Sequence, residues 1–261
     1  MNQDPIFKQT LIDVLSREGV EVETEVEVGR LPRTIDGIVT VKDEAVLPTL
    51  AAETPFAWFG RHNIIAFKGA NDPLDQHDFH LVMSRTCLSL AEKRVDASHA
   101  TLTIICGRTP RKEMARYRQE WELIEVSEGV FQIGRYPPLI YLVVINELPV
   151  HDPRYDMLHS FTSQRRHFHE FILEAFGSGR YEVVNIAALV RPSWIQELMM
   201  ISTEMIPQEN LDILLKWIER DFLHQIPADK RMAGLPLEQR LAGLNAEERA
   251  ALLRLLLEER S

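Results

Sequence analysis

The sequence predicts an α/β fold: a mixed sheet flanked by helices over residues 1–180, then an all-helical C-terminal extension over 181–261. Three observations predict it. Glu21 to Val28 alternates strictly, with Val22, Thr24, Val26 and Val28 on one side and Glu21, Glu23, Glu25 and Glu27 on the other, the period-two signature of a strand. Leu139 to Ile145 is an almost unbroken apolar run, as a central strand covered on both faces requires. Between and around these stretches apolar residues recur at helical spacing, and beyond Arg180 the spacing is helical throughout.

In chain order, Phe7, Leu11, Val14 and Leu15 place a helix over Pro5 to Arg17, stopped by Glu18-Gly19. The Glu21–Val28 strand follows, and Leu31-Pro32-Arg33 breaks the chain before a strand containing Thr34-Ile35-Asp36-Gly37-Ile38-Val39. Pro48 and Pro55 punctuate the next stretch. Phe56-Ala57-Trp58-Phe59 is expected to begin a hairpin into the strand Asn63-Ile64-Ile65-Ala66-Phe67-Lys68. Asp72 can cap a helix with Pro73 at its first position, and Phe79, Val82, Met83, Cys87 and Leu90 form its apolar stripe.

Ala100 to Cys106 reads as a strand, Pro110 to Arg118 as a short basic helix, and Trp121 to Ile133 as two strands turning near Glu128-Gly129. Asp156 to Phe176 reads as one helix with Gly177 at its end. Ser193 with Gln196 forms a capping box ahead of Trp194 to Met205. Leu211, Leu214, Leu215, Ile218 and Phe222 define a further amphipathic helix. The tail repeats a unit, Arg231 to Gln239 and then Arg240 to Glu248, before a helix from Arg249 to Arg260. Leu252, Leu253, Leu255, Leu256 and Leu257 exceed what a free helix exposes, so this tail is expected to pack on the domain, on a second copy or on a protein partner.

Composition narrows the function classes. At 261 residues with 45% apolar content, the chain can bury a substantial core. No run approaches the roughly 18 apolar residues of a membrane span, and the N-terminus lacks the pattern of a secretory signal. Cys87 and Cys106 lie in apolar surroundings and read as buried, reduced thiols, which together with these features points to the cytoplasm. A formal charge of −10 counts against tight nonspecific binding of nucleic acid but leaves room for a local basic groove. Arg108, Arg111, Lys112, Arg116 and Arg118 form one positive run, and Arg165, Arg166 and His167 another. Arg111, Lys112 and Arg116 are the candidate phosphate contacts. His77, Asp78 and His80 lack a distant third ligand, which weakens a metal reading, and His167 and His169 fall on different sides of a helix.

Side chains on a strand alternate between faces, so Asp36 shares a face with Ile38, and Lys68 shares one with Ile64 and Ala66. If the two strands lie side by side, one carboxylate and one ammonium project to the same place. An Asp on one strand followed by a second strand ending x-x-Lys resembles the PD-(D/E)XK nuclease core. More narrowly, Ile64-Ile65-Ala66-Phe67-Lys68-Gly69-Ala70-Asn71-Asp72-Pro73-Leu74 resembles the Rpn family of recombination-promoting, transposase-associated nucleases. In that family the strand reads Ile-Ile-Glu-Phe-Lys, and Gly60-Arg61-His62 fits the segment before it. The Leu-Ala-Gly-Leu-x-x-Glu-Glu-Arg unit of the tail resembles the tails of Rpn-like proteins.

The resemblance implies a restriction-endonuclease-like fold, DNA as partner, and Asp36 and Lys68 as catalytic residues. It also implies Mg²⁺ held by Asp36, and of the Glu21, Glu23, Glu25, Glu27 comb Glu27 is the one member close enough in sequence to Asp36 to approach that metal. Two carboxylates on adjacent strands suit Mg²⁺, and a Lys on the same face can orient the attacking water or stabilise developing charge. The motif Glu is replaced by Ala66. Three readings follow. Glu27, Glu53 or Asp72 supplies the missing oxygen; the protein binds nucleic acid without cutting; or the fold serves protein contacts through its helical tail.

Overall fold

The β-branched and aromatic stretches form one seven-stranded mixed sheet. The structure, a computed structural model, describes residues 4–27 and 34–201, with side chains described at 5–24 and 35–198. Helix α1 (Asp4–Arg17) leads into β1 (Glu21–Glu27) and β2 (Thr34–Thr40). Then come α2 (Leu47–Glu53), β3 (His62–Lys68), α3 (Gln76–Lys93), β4 (Ala100–Cys106) and α4 (Arg111–Glu120). Strands β5 (Leu123–Ser127), β6 (Val130–Ile133) and β7 (Leu139–Val144) precede helices α5 (Asp156–His159), α6 (Arg165–Gly177), α7 (Tyr181–Val190) and α8 (Pro192–Ile201).

The strand order is β1-β2-β3-β4-β7-β6-β5. Strands β3, β4 and β7 run parallel at its centre, and their flanks pair antiparallel. Burial follows this plan. Every residue of β4 is buried, as is all of β7 after Leu139, because helices cover both faces. One face packs Ile38, Ile64, Ala66, Leu102, Ile104 and Leu142 under Phe79 and Val82 of α3 and Met114 and Tyr117 of α4. The other packs Val39, Ile65, Phe67, Ile105 and Val143 under Phe7, Leu11 and Leu15 of α1 and Leu158 of α5. Gly37 allows α1 to lie close, since a Cβ there would meet Leu11 Cδ2 at 2.9 Å.

Several expectations are corrected. Phe56 to Phe59 is not a strand: α2 and a loop connect β2 to β3, and Phe56 stacks on Phe59 while Trp58 stacks on Tyr141. The cap of α3 is Asp75, not Asp72. Asp75 accepts the Asp78 N–H, and the helix starts at Gln76. Cys87 is exposed; Cys106 alone of the two thiols is buried, and burial pushes it up to about 12. Asp156 to Phe176 is two helices, because Thr162 Oγ1 and the Ser163 N–H turn to Asn146 and interrupt the helical ladder. Helix α8 begins at Pro192, so Ser193 lies within its first turn rather than capping it. The compact unit containing the described residues extends to Met205, and the 180/181 boundary falls inside it, between α6 and α7. The tail repeats and the helices expected after 205 lie outside the described residues. Among the described residues, no helix is long and apolar enough to cross a membrane.

Candidate functional site

The site begins where the sheet splits. Strand β2 pairs with β1 out to Thr34, but its pairing with β3 ends at Gly37 and Ile65. Beyond that point β2 leaves the Phe67 N–H without a backbone acceptor on β2, and Asp36 Oδ2 accepts it at 2.8 Å. The start of β3 is held by buried Asn63, which accepts from the Gly60 N–H and the Thr101 hydroxyl and donates to the Val39 and Gly60 carbonyls. The split opens a cavity of about 440 Å³ between β2, β3 and α3, closed by the Gly69–Asp72 loop.

Asp36, Ala66 and Lys68 all line this cavity. Lys68 does not wait on a ligand. Its Nζ lies 2.9 Å from Asp78 Oδ1 and 3.1 Å from Asp72 Oδ2. Burial works against the charge, but hydrogen bonds to Asp78 and Asp72 outweigh it and hold the ammonium above the ordinary lysine range. Asp72 therefore serves the site as a partner of Lys68, not as a helix cap.

Of the other candidate carboxylates, Glu53 is exposed at the end of α2 and does not line the cavity. Glu27 pairs with Thr34 in the β1–β2 register, and its side chain lies outside those described. Among the described residues, no group of three or more His, Cys, Asp or Glu side chains is placed to hold a metal ion. Mg²⁺ seeks six oxygens in a near-octahedral shell. Here Ala66 offers a methyl group, one Asp36 oxygen is engaged by backbone, and Asp72 and Asp78 are drawn to Lys68. The described donor set does not fit Mg²⁺.

Comparison with family models, with curated proteins and with solved structures gives no match.

The basic run lies apart from the cavity lining. Arg108, Arg111 and Lys112 are exposed where the chain leaves β4, at the same end of the parallel strands as Lys68, and carry no ion-pair partner among the described residues. Arg116 is committed to Glu113 at 2.6 Å. In the second run, Arg165 pairs with Glu197, Arg166 with Glu170, and His167 is buried against His159, so it offers no open cationic face. His77 and His80 are exposed on α3.

Two cavity residues, Thr86 and Lys8, were not singled out by the sequence, and Asp78 was weighed there only as a metal ligand beside His77 and His80. Asp78 sits three residues after its cap Asp75, the position whose side chain turns back toward the preceding strand. Thr86 lies two further four-residue steps along the same stripe. Lys8 flanks the apolar stripe of α1, one turn before Leu11, and is buried. The signal for Thr86 was helical register, since it lies four residues after Val82 and three after Met83 of the predicted stripe.

Proposed function

We propose that this protein is a PD-(D/E)XK-type, Rpn-like relative of transposase-associated nucleases that engages DNA without metal-dependent phosphodiester cleavage. The observation that carries the reading is Ala66, buried between Asp36 and Lys68 where a second metal carboxylate would stand, beside a lysine already neutralised by Asp72 and Asp78. Support for DNA comes from Arg108, Arg111 and Lys112, which are exposed and unpaired among the described residues at the same end of the sheet. A second reading, an interaction protein that assembles through its leucine-rich tail, rests on Leu252, Leu253, Leu255, Leu256 and Leu257.

Two experiments test the first reading. Supercoiled plasmid is incubated with Mg²⁺ or Mn²⁺ and wild type, Asp36→Ala, Lys68→Ala or Ala66→Glu. Wild type is expected to leave the plasmid intact. Nicking by wild type that both alanine variants lose would make this a working nuclease. In DNA-binding titrations, the double variant Arg111→Ser, Lys112→Ser is expected to reduce the slope of log K against log salt by about 2. Absence of wild-type DNA binding at low salt favours the interaction protein.

A further inference from the structure

At the end of the sheet opposite Lys68, basic side chains gather without matching carboxylates. His62 opens β3 and pairs across to Ala100, the first residue of β4, so Arg61 and His99 stand where these two parallel strands begin. Burial, then Arg61, Lys93 and His99, hold the His62 imidazole below its usual range, and no carboxylate opposes them. The carboxylates close to this end are engaged. Glu23 pairs with Lys93 at 2.8 Å, Glu21 pairs with Lys42 at 2.6 Å, and Asp96 accepts from the Ser98 N–H and hydroxyl. Arg61 and His99 are exposed and carry no ion-pair partner among the described residues.

An aromatic ring is exposed along the same edge. Leu139 of β7 pairs with Thr101 of β4, two residues after His99. Pro138 before it is buried, and Tyr136, on the loop that enters β7, is 88% exposed. Neighbouring strands lie about 4.8 Å apart, so β3 and β7 begin roughly 10 Å from each other with β4 between them. Basic groups and an open ring along one edge suit the phosphates and a base of a nucleotide chain. A duplex keeps its base faces inside the stack, so the open ring selects an unpaired strand. In a chain of net charge −10, an unopposed positive edge is also where a polyanion meets least repulsion.

We infer that the end of the sheet where β3, β4 and β7 begin holds a single strand of nucleic acid, with phosphates on Arg61 and His99 and a base stacked on Tyr136. The inference goes beyond the proposed function, which rests on Arg108, Arg111 and Lys112 at the other end of the parallel strands. Strands β3 and β4 are each seven residues long, which sets the two ends about 20 Å apart. The two surfaces share no residue, so either can fail alone.

The test is fluorescence anisotropy of a labelled single-stranded oligonucleotide titrated with the full chain at low salt. Wild type is expected to bind saturably. The double variant Arg61→Ser, His99→Ser is expected to weaken binding about tenfold by removing phosphate contacts. Tyr136→Ala is expected to weaken it about tenfold by removing one stacked base. All three positions are exposed, so these changes leave the core untouched. With a fully abasic strand, Tyr136→Ala is expected to match wild type, which separates stacking from charge. Arg111→Ser, Lys112→Ser is expected to keep the single-strand affinity. Absence of saturable binding, binding that either variant at this end leaves unchanged, or binding lost instead through Arg111→Ser, Lys112→Ser overturns the inference. Poly-glutamate binding as tightly as the strand would make this a surface for acidic protein segments and would overturn it as well.

Discussion

Acidification from pH 7 to pH 4 is expected to destabilise the protein by roughly 3 kcal/mol through one buried imidazole. His159 is fully buried on α5, its Nδ1 2.9 Å from Nε2 of His167 on α6, and its ring packs against Phe171. Burial, and then the neighbouring His167, hold His159 down at about 3, and burial lowers His167 as well. Arg180 adds to the depression of His159. The Pro149 carbonyl and Asp152 oppose it, and Glu170 opposes the shift of His167. An imidazole whose folded pKa lies below its unfolded value of about 6.5 binds protons preferentially in the unfolded chain. Its stabilising effect is therefore complete above pH 6.5 and lost as pH falls toward 3. Burial raises the carboxyl of Asp156, which works in the opposite sense at lower pH. Urea unfolding from pH 7.5 to 4 checks the expectation. Wild type should lose stability steeply below pH 6.5 and His159→Phe less steeply. In wild type the His159 ring resonances should not titrate between pH 8 and 5. A ring that titrates near 6.5 contradicts the account.

Phe161→Ala is expected to cost about 3–5 kcal/mol. Phe161 is fully buried and meets Phe7 of α1 edge-on at 5.4 Å and Phe67 of β3 edge-on at 5.5 Å, while Phe7 and Phe67 stack at 4.3 Å. Its backbone closes over the end of β4. A Cβ at Gly107 would meet the Phe161 carbonyl oxygen at 2.6 Å, and the Gly107 N–H donates to the Lys68 carbonyl at 2.8 Å. The aromatic cluster thus ties α1 and the segment after α5 to the strand end that carries Lys68. For a unit of about this size each kcal/mol lowers Tm by roughly 2–4 °C, so a fall of about 6 °C or more is expected. Calorimetry decides it: a Tm within about 2 °C of wild type would show that the cluster is not a packing anchor.

Much of the sheet was legible because its signals are local. Strict alternation marked β1, the apolar run marked β7, and the Ala100–Cys106 strand matched its predicted bounds. Helix α2 was hidden by Pro48 and Pro55, although Pro48 sits harmlessly in the first turn, where its missing N–H has no partner to lose. The break between α5 and α6 was hidden because it depends on Asn146, distant in sequence, accepting from Thr162 and Ser163. At the site, Asp36, Ala66 and Lys68 were legible as a group. Thr86 was not, because a hydroxyl within an apolar stripe carries no signal of its own, and the pairing of Asp78 with Lys68 depends on how α3 meets β3. The charge balance of Lys68 was equally out of reach, since it depends on a loop and a helix meeting one strand end.

The central claim is that the Asp36–Lys68 site lacks a metal because residue 66 supplies no carboxylate. Calorimetric titration of Mn²⁺ into wild type and Ala66→Glu tests it most directly. The account predicts no saturable binding by wild type at millimolar Mn²⁺ and a new site in Ala66→Glu that a further Asp36→Asn change removes. Saturable binding by wild type that Asp36→Asn abolishes would contradict it and would place the missing oxygen elsewhere, with Glu27→Gln the next variant to titrate.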